Sequence, residues 1–291
     1  MCNVGMLLSA KLQFLRMSTP GGRTGPPLVS ARIQGQSTRL IVDTGASETL
    51  LSRSLMRRLG VALTSAAPGL DHVGINVRTW TCIGNVSLEV GRYRRTIPDV
   101  AVIDMPTEFE WAGVGGVLCP QRLHADATLR LDLSGARIEL FDDAATCVAP
   151  DRGCGDGLVP ITLPRKRVEG EISDLIVVEG VFDAMPTTSI LLNTGARESE
   201  VAYEGSIQRA SRTKRWVRGF GGAGVSVRIV DVSLSIGSVA MQMQGIVARP
   251  QPHGFGGQLG MEILGRTCLE MRNADDTIRW WIPPDWRQKG V

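Results

Sequence analysis

The chain has 291 residues, 43% hydrophobic and 21% charged, so it is long enough for two domains and apolar enough to bury a core. Its formal net charge of +3 is too small to indicate a nucleic-acid or membrane partner. With 34 glycines and only 5% aromatic residues, the composition favours an all-β chain rich in turns over a helical bundle.

The cysteines, histidines and apolar runs indicate a cytoplasmic protein. The six cysteines include no Cys-x-x-Cys pair, which favours buried free thiols over a disulfide framework, with an oxidised Cys147–Cys154 pair as the weaker alternative. None of the three histidines stands at metal-ligand spacing, so no metal site is expected. Every apolar run falls short of the roughly 18 residues of a membrane helix, and the first residues lack the basic start of a secretory signal.

The first predicted elements are strands. Alternating apolar residues over 6–15 predict a strand in an N-terminal arm, and the same alternation recurs over 29–33. The polar group at 34–37 predicts a turn, and the short apolar run at 40–42 predicts a buried strand.

A helix and a pair of later strands follow. Apolar residues at helical spacing over 50–59, closed by Gly60 as a C′ residue, predict a short helix. Alternation over 225–229 and 232–236 predicts two half-buried strands.

The sequence repeats itself. Residues 40–46 read Leu-Ile-Val-Asp-Thr-Gly-Ala and residues 190–196 read Ile-Leu-Leu-Asn-Thr-Gly-Ala, a spacing of 193 − 43 = 150. Three further echoes follow in the same order: 86–91 with 232–237 (spacing 146), 113–116 with 257–260 (spacing 144), and 129–140 with 269–280 (spacing 140). Four landmarks in one order predict a duplicated domain.

The repeats also predict the domain boundaries, because residues 142–157 are rich in Asp, Ala, Gly and Pro and lack periodicity. The predicted segments are an N-terminal arm (1–26), a first unit (27–142), a linker (143–157), a second unit (158–284) and a tail (285–291).

The Asp-Thr-Gly-Ala motif after an apolar run, the helix ending in Leu-Gly and the later glycine block resemble one lobe of a retropepsin-like aspartic peptidase. The resemblance covers about residues 27–142 and again 158–282. It implies an all-β fold of two tandem barrel lobes, with a short helix in the first, related by a pseudo-twofold axis with a cleft between them. It also implies a peptide or protein substrate and no cofactor.

In such enzymes two carboxyl groups about 3 Å apart share one proton, because like charges that close cannot both ionise. The ionised carboxyl deprotonates a water, and the protonated one donates to the scissile carbonyl. The resemblance places Asp43 and position 193 in these roles. It further implies that Thr44 and Thr194 bridge the lobes, and we expect Gly45 and Gly195 to permit a tight turn.

The family also has a flap over the substrate. The resemblance implies one flap tip at Gly219, Phe220, Gly221 and Gly222, and another at Gly74 and Ile75. Trp80 and Trp216 lie near these tips and either line substrate pockets or pack as rigid core residues. Gly219-x-Gly221-x-x-Gly224 also fits a dinucleotide-binding pattern, but predicted strands follow it rather than a helix.

The second repeat departs from the family at its central residue, because position 193 is Asn. An amide cannot ionise or share the proton, so one chain cannot form a symmetric dyad. Without a like-charged neighbour we expect Asp43 to titrate nearer its free value and to lose the split between acid and base roles.

Three explanations of Asn193 stay open. The chain is a natural pseudo-peptidase that binds extended peptides, or it is active as a homodimer that sets Asp43 opposite Asp43, or the residue is a deliberate inactivating change. A structural protein whose cleft has no function is a further, weaker alternative.

Overall fold

Strands dominate the chain, as the glycine-rich and aromatic-poor composition predicts. The computed structural model describes residues 5–15, 25–70, 76–124, 126–142, 154, 157–167, 174–183, 186–202, 214–218, 224–249, 254–272 and 276–286. These residues form 22 strands and three short α-helices. The prediction of an all-β fold is confirmed.

The first twelve strands lie before residue 143. They are β1 Met6–Phe14, β2 Pro27–Ile33, β3 Gln36–Val42, β4 Leu50–Ser52, β5 Ala67–Leu70, β6 Asn76–Thr81, β7 Asn85–Val90, β8 Tyr93–Pro98, β9 Ala101–Ile103, β10 Val114–Leu118, β11 Ala127–Asp132 and β12 Arg137–Asp142. Helices α1 Arg53–Arg58 and α2 Thr107–Trp111 interrupt them, and a 3-10 turn covers Pro120–Arg122.

The remaining ten strands follow residue 157. They are β13 Val159–Pro164, β14 Val177–Phe182, β15 Thr188–Leu192, β16 Glu200–Ala202, β17 Lys214–Arg218, β18 Gly224–Ile236, β19 Val239–Arg249, β20 Gly257–Leu259, β21 Cys268–Arg272 and β22 Thr277–Ile282. Helix α3 Met261–Leu264 and a 3-10 turn at Pro284–Trp286 complete the described elements.

The helix predicted over 50–59 is shorter than expected but ends as predicted. Helix α1 begins after Ser52, whose hydroxyl accepts the N–H of Leu55, and it buries Leu55 and Met56. Gly60 follows at φ +67°, the left-handed conformation that glycine adopts without steric penalty at a helix C-terminus. The short helices α2 and α3 lie outside any predicted helix.

Two sets of seven strands have the same order of hydrogen-bonded neighbours. The first runs β2-β3-β10-β4-β9-β6-β5, and the second runs β14-β15-β20-β16-β19-β18-β17. The parallel and antiparallel pairings also agree: β3 with β10 and β15 with β20 are parallel, as are β4 with β9 and β16 with β19. Two of the four sequence echoes fall on matching strands of this order: 40–46 and 190–196 on β3 and β15, and 113–116 and 257–260 on β10 and β20.

The two strands predicted over 225–229 and 232–236 are in fact one. Strand β18 runs through both and pairs antiparallel with β19, with an irregular register between Val230 and Val232. In the first repeat the equivalent segment consists of two separate strands, β6 and β7, and the irregularity in β18 corresponds to the gap between them. A bulge keeps such a strand continuous where two strands were predicted.

A third group of strands joins the two sets. Six antiparallel strands lie in the order β13-β22-β21-β11-β12-β1, so the arm strand predicted over 6–15 is present as β1. Strands β11 and β21 meet at the centre, with Leu129 opposite Met271 and Leu131 opposite Leu269.

One buried ion pair lies at this centre. Arg130 is opposite Glu270, and its Nε and Nη2 donate to Glu270 Oε2 at 2.9 and 2.6 Å. Glu139 and Arg279 lie 3.9 Å from the pair. Because 270 − 130 = 140, the spacing of the last sequence echo, the two charges occupy equivalent positions of the two repeats.

The cysteine expectation is partly wrong. Cys82 and Cys119 are buried free thiols, as predicted, but Cys154 forms a disulfide with Cys268. Cys154 packs with Cys268 and Trp281, so the linker cysteine reaches the central strands. The sequence separation of 114 residues offers no spacing signal for this pair. Cys147 lies outside the described residues.

Breaking the central ion pair should be costly. We expect Arg130→Met to lower the free energy of unfolding by about 3–5 kcal/mol, because Glu270 would lose its closest buried partner. The double variant Arg130→Met with Glu270→Met should recover most of this loss, since no uncompensated charge remains. Urea unfolding at pH 7 measures both, and a double variant that is no more stable than the single one contradicts the assignment.

Candidate active site

Asp43 and Asn193 begin two loops that are built in the same way. Asp43 follows β3 and its N–H donates to Leu118 O at 3.0 Å, while Asn193 follows β15 and its N–H donates to Leu259 O at 2.9 Å. In each case the acceptor ends the parallel neighbour strand, β10 or β20. The glycine-block strand therefore holds the first loop residue in both repeats.

The threonines of the two loops exchange hydrogen bonds. Thr44 N–H donates to Thr194 Oγ1 at 3.1 Å, and Thr194 N–H donates to Thr44 Oγ1 at 3.0 Å. Each hydroxyl then donates to the strand before the opposite loop, Thr44 to Leu192 O at 2.5 Å and Thr194 to Val42 O at 2.7 Å. Both side chains are fully buried. The bridging contact expected from the resemblance is present.

The two motif glycines allow the side chains at 43 and 193 to approach the opposite loop. A Cβ on Gly45 would lie 2.4 Å from Asn193 Cγ, and one on Gly195 would lie 2.1 Å from Asp43 Cγ. Neither glycine has a positive φ. The expected turns are present at residues 44–45 and 194–195, and close approach across the two loops, rather than a left-handed backbone, requires glycine there.

Asp43 titrates far from its free value. Burial raises its pKa from 3.8 to about 6, although the backbone N–H groups of Gly45, Gly195 and Ala46 lower it. Gly45 N–H donates to Asp43 Oδ1 at 2.7 Å. Asp43 therefore does not titrate nearer its free value as expected, because desolvation raises its pKa without a charged neighbour.

Asn193 is buried, and its side-chain amide makes two hydrogen bonds to its own loop and one to strand β20. Its Oδ1 accepts the N–H of Gly195 at 2.9 Å and of Ala196 at 3.1 Å. Its Nδ2 donates to Gln258 Oε1 at 2.9 Å, on strand β20. The amide therefore occupies the place of a carboxyl group but can neither ionise nor carry a shared proton.

Two glutamines contact this site that the sequence did not single out. Gln121 Nε2 donates to Thr44 O at 3.0 Å and to Ala46 O at 3.2 Å, and Gln258 binds Asn193. The echo of the glycine blocks held a signal for Gln258, since it lies within 257–260.

The two repeats make an equivalent contact beside the motif loops, but the residue that donates it is Gly260 in one repeat and Cys119 in the other. Gly260 N–H donates to Ser199 Oγ at 3.0 Å, and Cys119 N–H donates to Thr49 Oγ1 at 3.2 Å, an equivalent contact in the other repeat. Cys119 adds a buried thiol in electrostatic contact with Asp43, and desolvation raises the pKa of this thiol to about 12. The thiol therefore stays neutral at physiological pH.

The predicted substrate-binding residues lie outside the described residues: Gly74, Ile75, Gly219, Phe220, Gly221 and Gly222. The strands that flank them form antiparallel hairpins, with Leu70 opposite Asn76 and Arg218 opposite Gly224. Their role stays a prediction.

The two tryptophans near the hairpins differ. Trp80 is buried under the Arg53 guanidinium, 4.0 Å from its ring centre, which fits core packing. Trp216 is 72% exposed on β17. The alternative of a substrate pocket is therefore open for Trp216 and weak for Trp80.

Within the described ranges, no group of three or more His, Cys, Asp or Glu side chains could hold a metal ion. No helix of the described chain is long and apolar enough to cross a membrane.

Comparison with known proteins identifies a family domain in the first repeat. Residues 29–118 match a family described as aspartyl protease, a range that includes Asp43, Thr44 and the strands around them. No curated protein matches the chain. At the level of the family, the match supports a hydrolase of the aspartic type.

Replacing the Asp43 carboxyl should stabilise the fold in a pH-dependent manner. A folded pKa of about 6 against an ordinary 3.8 means that ionised Asp43 costs at most about 3 kcal/mol. The unaltered chain has the full stability from this group below about pH 4 and loses it as the pH rises through 6. We therefore expect Asp43→Asn to be more stable than the unaltered chain at pH 7 and equal to it at pH 3.

Urea unfolding at both pH values measures this difference, with Asp126→Asn at an exposed position as the control. An Asp43→Asn variant that is less stable at pH 7 would show that the carboxyl is stabilised rather than desolvated.

Proposed function

We propose that the chain is an aspartic-type endopeptidase in which Asp43 alone supplies the titrating carboxyl, with Asn193 of the same chain opposite it. Two retropepsin-like lobes, about 27–142 and 158–284, then form one catalytic unit. The observation that carries the proposal is the position of Asp43: its carboxyl lies against Gly195 of the opposite motif loop and has a pKa of about 6.

The chemistry follows from one base with this pKa. Above pH 6 ionised Asp43 takes a proton from a water held between the loops, and the hydroxide oxygen bonds to the scissile carbonyl carbon. The carbon–nitrogen bond then breaks, and the leaving nitrogen receives the proton from Asp43. A base whose pKa is near the operating pH accepts and returns a proton well.

Asn193 cannot supply the second proton that a dyad partner would give to the carbonyl. Its Oδ1 accepts two backbone N–H groups and its Nδ2 donates to Gln258, so it keeps the shape of the second half-site. General acid catalysis contributes typically about 10²–10⁴-fold to a rate. The proposed enzyme is therefore slow compared with one that has two carboxyl groups.

Pairing within one chain is favoured over a homodimer of first repeats. In a twofold dimer, equivalent residues near the axis meet themselves. Arg130 lies at such a position, so two chains paired through their first repeats would bury Arg130 against Arg130. The observed partner is Glu270, at a side-chain exposure of 6% for Arg130 and 2% for Glu270. Burying two like charges is strongly unfavourable.

A second candidate function is a pseudo-peptidase that holds extended peptides by strand-like hydrogen bonds. The buried Asn193 favours it, because the amide oxygen and the amide nitrogen both have hydrogen-bond partners, so the loop is stable without a carboxyl group. The exposed Trp216 on the β17–β18 hairpin would then contact the bound peptide.

Cleavage of an unstructured peptide library between pH 3 and 8 distinguishes the two functions. We expect slow cleavage whose kcat/KM rises with pH to a plateau above about 6, because Asp43 must be ionised. Asp43→Asn should abolish it, and Asp126→Asn should not. Absence of cleavage at every pH, together with saturable peptide binding, supports the pseudo-peptidase.

The variant Asn193→Asp tests whether the second half-site is intact. Two carboxyl groups there would titrate as a coupled pair, so the profile should become bell-shaped with its maximum below pH 6. The maximal rate should rise by roughly 10²–10⁴-fold, the usual contribution of general acid–base catalysis. An unchanged rate and profile would contradict the apposition of residues 43 and 193.

A further inference from the structure

The amide of Asn193 has one orientation. Its oxygen accepts two backbone donors, from Gly195 and Ala196, so an amino group turned to that side would face two N–H groups without an acceptor. The amino group lies on the other side, where Gln258 Oε1 accepts from it at 2.9 Å. Gln258 completes the set of contacts that fixes this orientation.

Gln258 is itself buried, with only 5% exposure, on strand β20 opposite Leu191 of β15. Since its Oε1 accepts from Asn193, its Nε2 points elsewhere, and within the described chain this Nε2 has no hydrogen-bond partner. A buried amide with an unpaired donor is unfavourable unless its other half makes a required contact. The contact with Asn193 is that candidate.

The first repeat has no such amide. Val117 of β10 lies opposite Ile41, and the motif spacing of 150 makes Ile41 equivalent to Leu191. Val117 is buried among apolar residues, and the hydrogen bonds that act on the Asp43 carboxyl come from backbone N–H groups. The polar Gln258 therefore occupies this strand position beside the Asn193 loop, whereas the apolar Val117 occupies the equivalent position beside the Asp43 loop.

One backbone group places the Asn193 oxygen beside Asp43. Gly195 N–H donates to Asn193 Oδ1, and a Cβ on Gly195 would lie 2.1 Å from Asp43 Cγ, so the residue that binds this oxygen also lies against the Asp43 carboxyl. We propose that Gln258 is a positioning residue that keeps the carbonyl oxygen of Asn193, and not its amino group, turned towards Asp43. This inference rests on the proposed function, in which Asp43 is the base.

The orientation has a chemical consequence. An oxygen next to Asp43 accepts a hydrogen bond from its protonated form, whereas an amino group there would donate to its ionised form. Gln258 therefore favours a protonated Asp43, the state that returns a proton to the leaving nitrogen.

The other titratable groups around the pair are already neutral or partnered. Cys119 is a neutral thiol at working pH. Glu200, opposite Gln258 in the register, is ion-paired with Arg249 at 2.6 Å, and Glu262 accepts the N–H of Ser199. Beyond Cys119, Arg122 and Asp174 pair at 2.7 Å.

Hydrogen exchange of the Asn193 side-chain amide tests the contact without any need for peptidase activity. In the ¹⁵N-labelled full chain, Asn193→Asp identifies the signal by its loss. We expect one of the two Nδ2 protons to exchange more slowly than the other. Gln258→Met should speed it by roughly five- to tenfold, the value of one hydrogen bond.

Gln258→Glu, which keeps an acceptor, should retain the slow exchange, as should Gln242→Met at an exposed position of β19. Equal exchange of both protons in the unaltered chain overturns the proposal even if Gln258→Met fails to fold. Unchanged protection in a folded Gln258→Met also overturns it.

The pKa of Asp43, followed by ¹³C NMR of labelled aspartate, tests the positioning role. It should fall in Gln258→Met, because the amide loses one of the three hydrogen bonds that orient it and turns its amino group towards the carboxyl more often, and it should not fall in Gln258→Glu or Gln242→Met. A value in Gln258→Met equal to or above that of the unaltered chain overturns the proposal. If these NMR results hold while no peptide is cleaved, the hydrolytic function alone has failed.

Discussion

The reciprocal hydrogen bonds between Thr44 and Thr194 are the constraint on which the rest of the site depends. Each hydroxyl accepts a backbone N–H of the other loop and donates to the strand that precedes that loop. Four buried hydrogen bonds thus fix two loops that are 150 residues apart in sequence. Once the loops are this close, only glycine fits at positions 45 and 195, and the side chains at 43 and 193 each lie against the glycine of the opposite loop.

The same frame holds different chemistry in its two halves. Asp43 has an apolar strand neighbour in Val117 and a pKa raised by burial, whereas Asn193 has an amide neighbour in Gln258. At the centre of the joining strands, equivalent positions carry Arg130 and Glu270. The opposite charges suit a single chain that pairs its own two repeats, because two first repeats would bury Arg130 against Arg130.

Much of the fold could be predicted because it depends on local pattern and internal repetition. The motif spacing located both loops, alternation located β1, β2 and β18, the apolar run at 40–42 located β3, and Gly60 marked the end of the helix. The raised pKa of Asp43 could not be predicted, since it depends on burial by distant residues. The bulge that joins residues 224–236 into one strand and the Cys154–Cys268 disulfide also depend on tertiary contacts. Gln258 required knowledge of which strand lies beside the Asn193 loop.

The most direct test of one carboxyl opposite one amide in one chain is the titration of Asp43 in the unaltered protein at several protein concentrations. The ¹³C signal of its carboxyl, identified with Asp43→Asn, should show a single transition near pH 6 that is independent of concentration. A transition near 4 would contradict the desolvated single base. Two coupled transitions that emerge as the concentration rises would show instead that Asp43 meets Asp43 of a second chain.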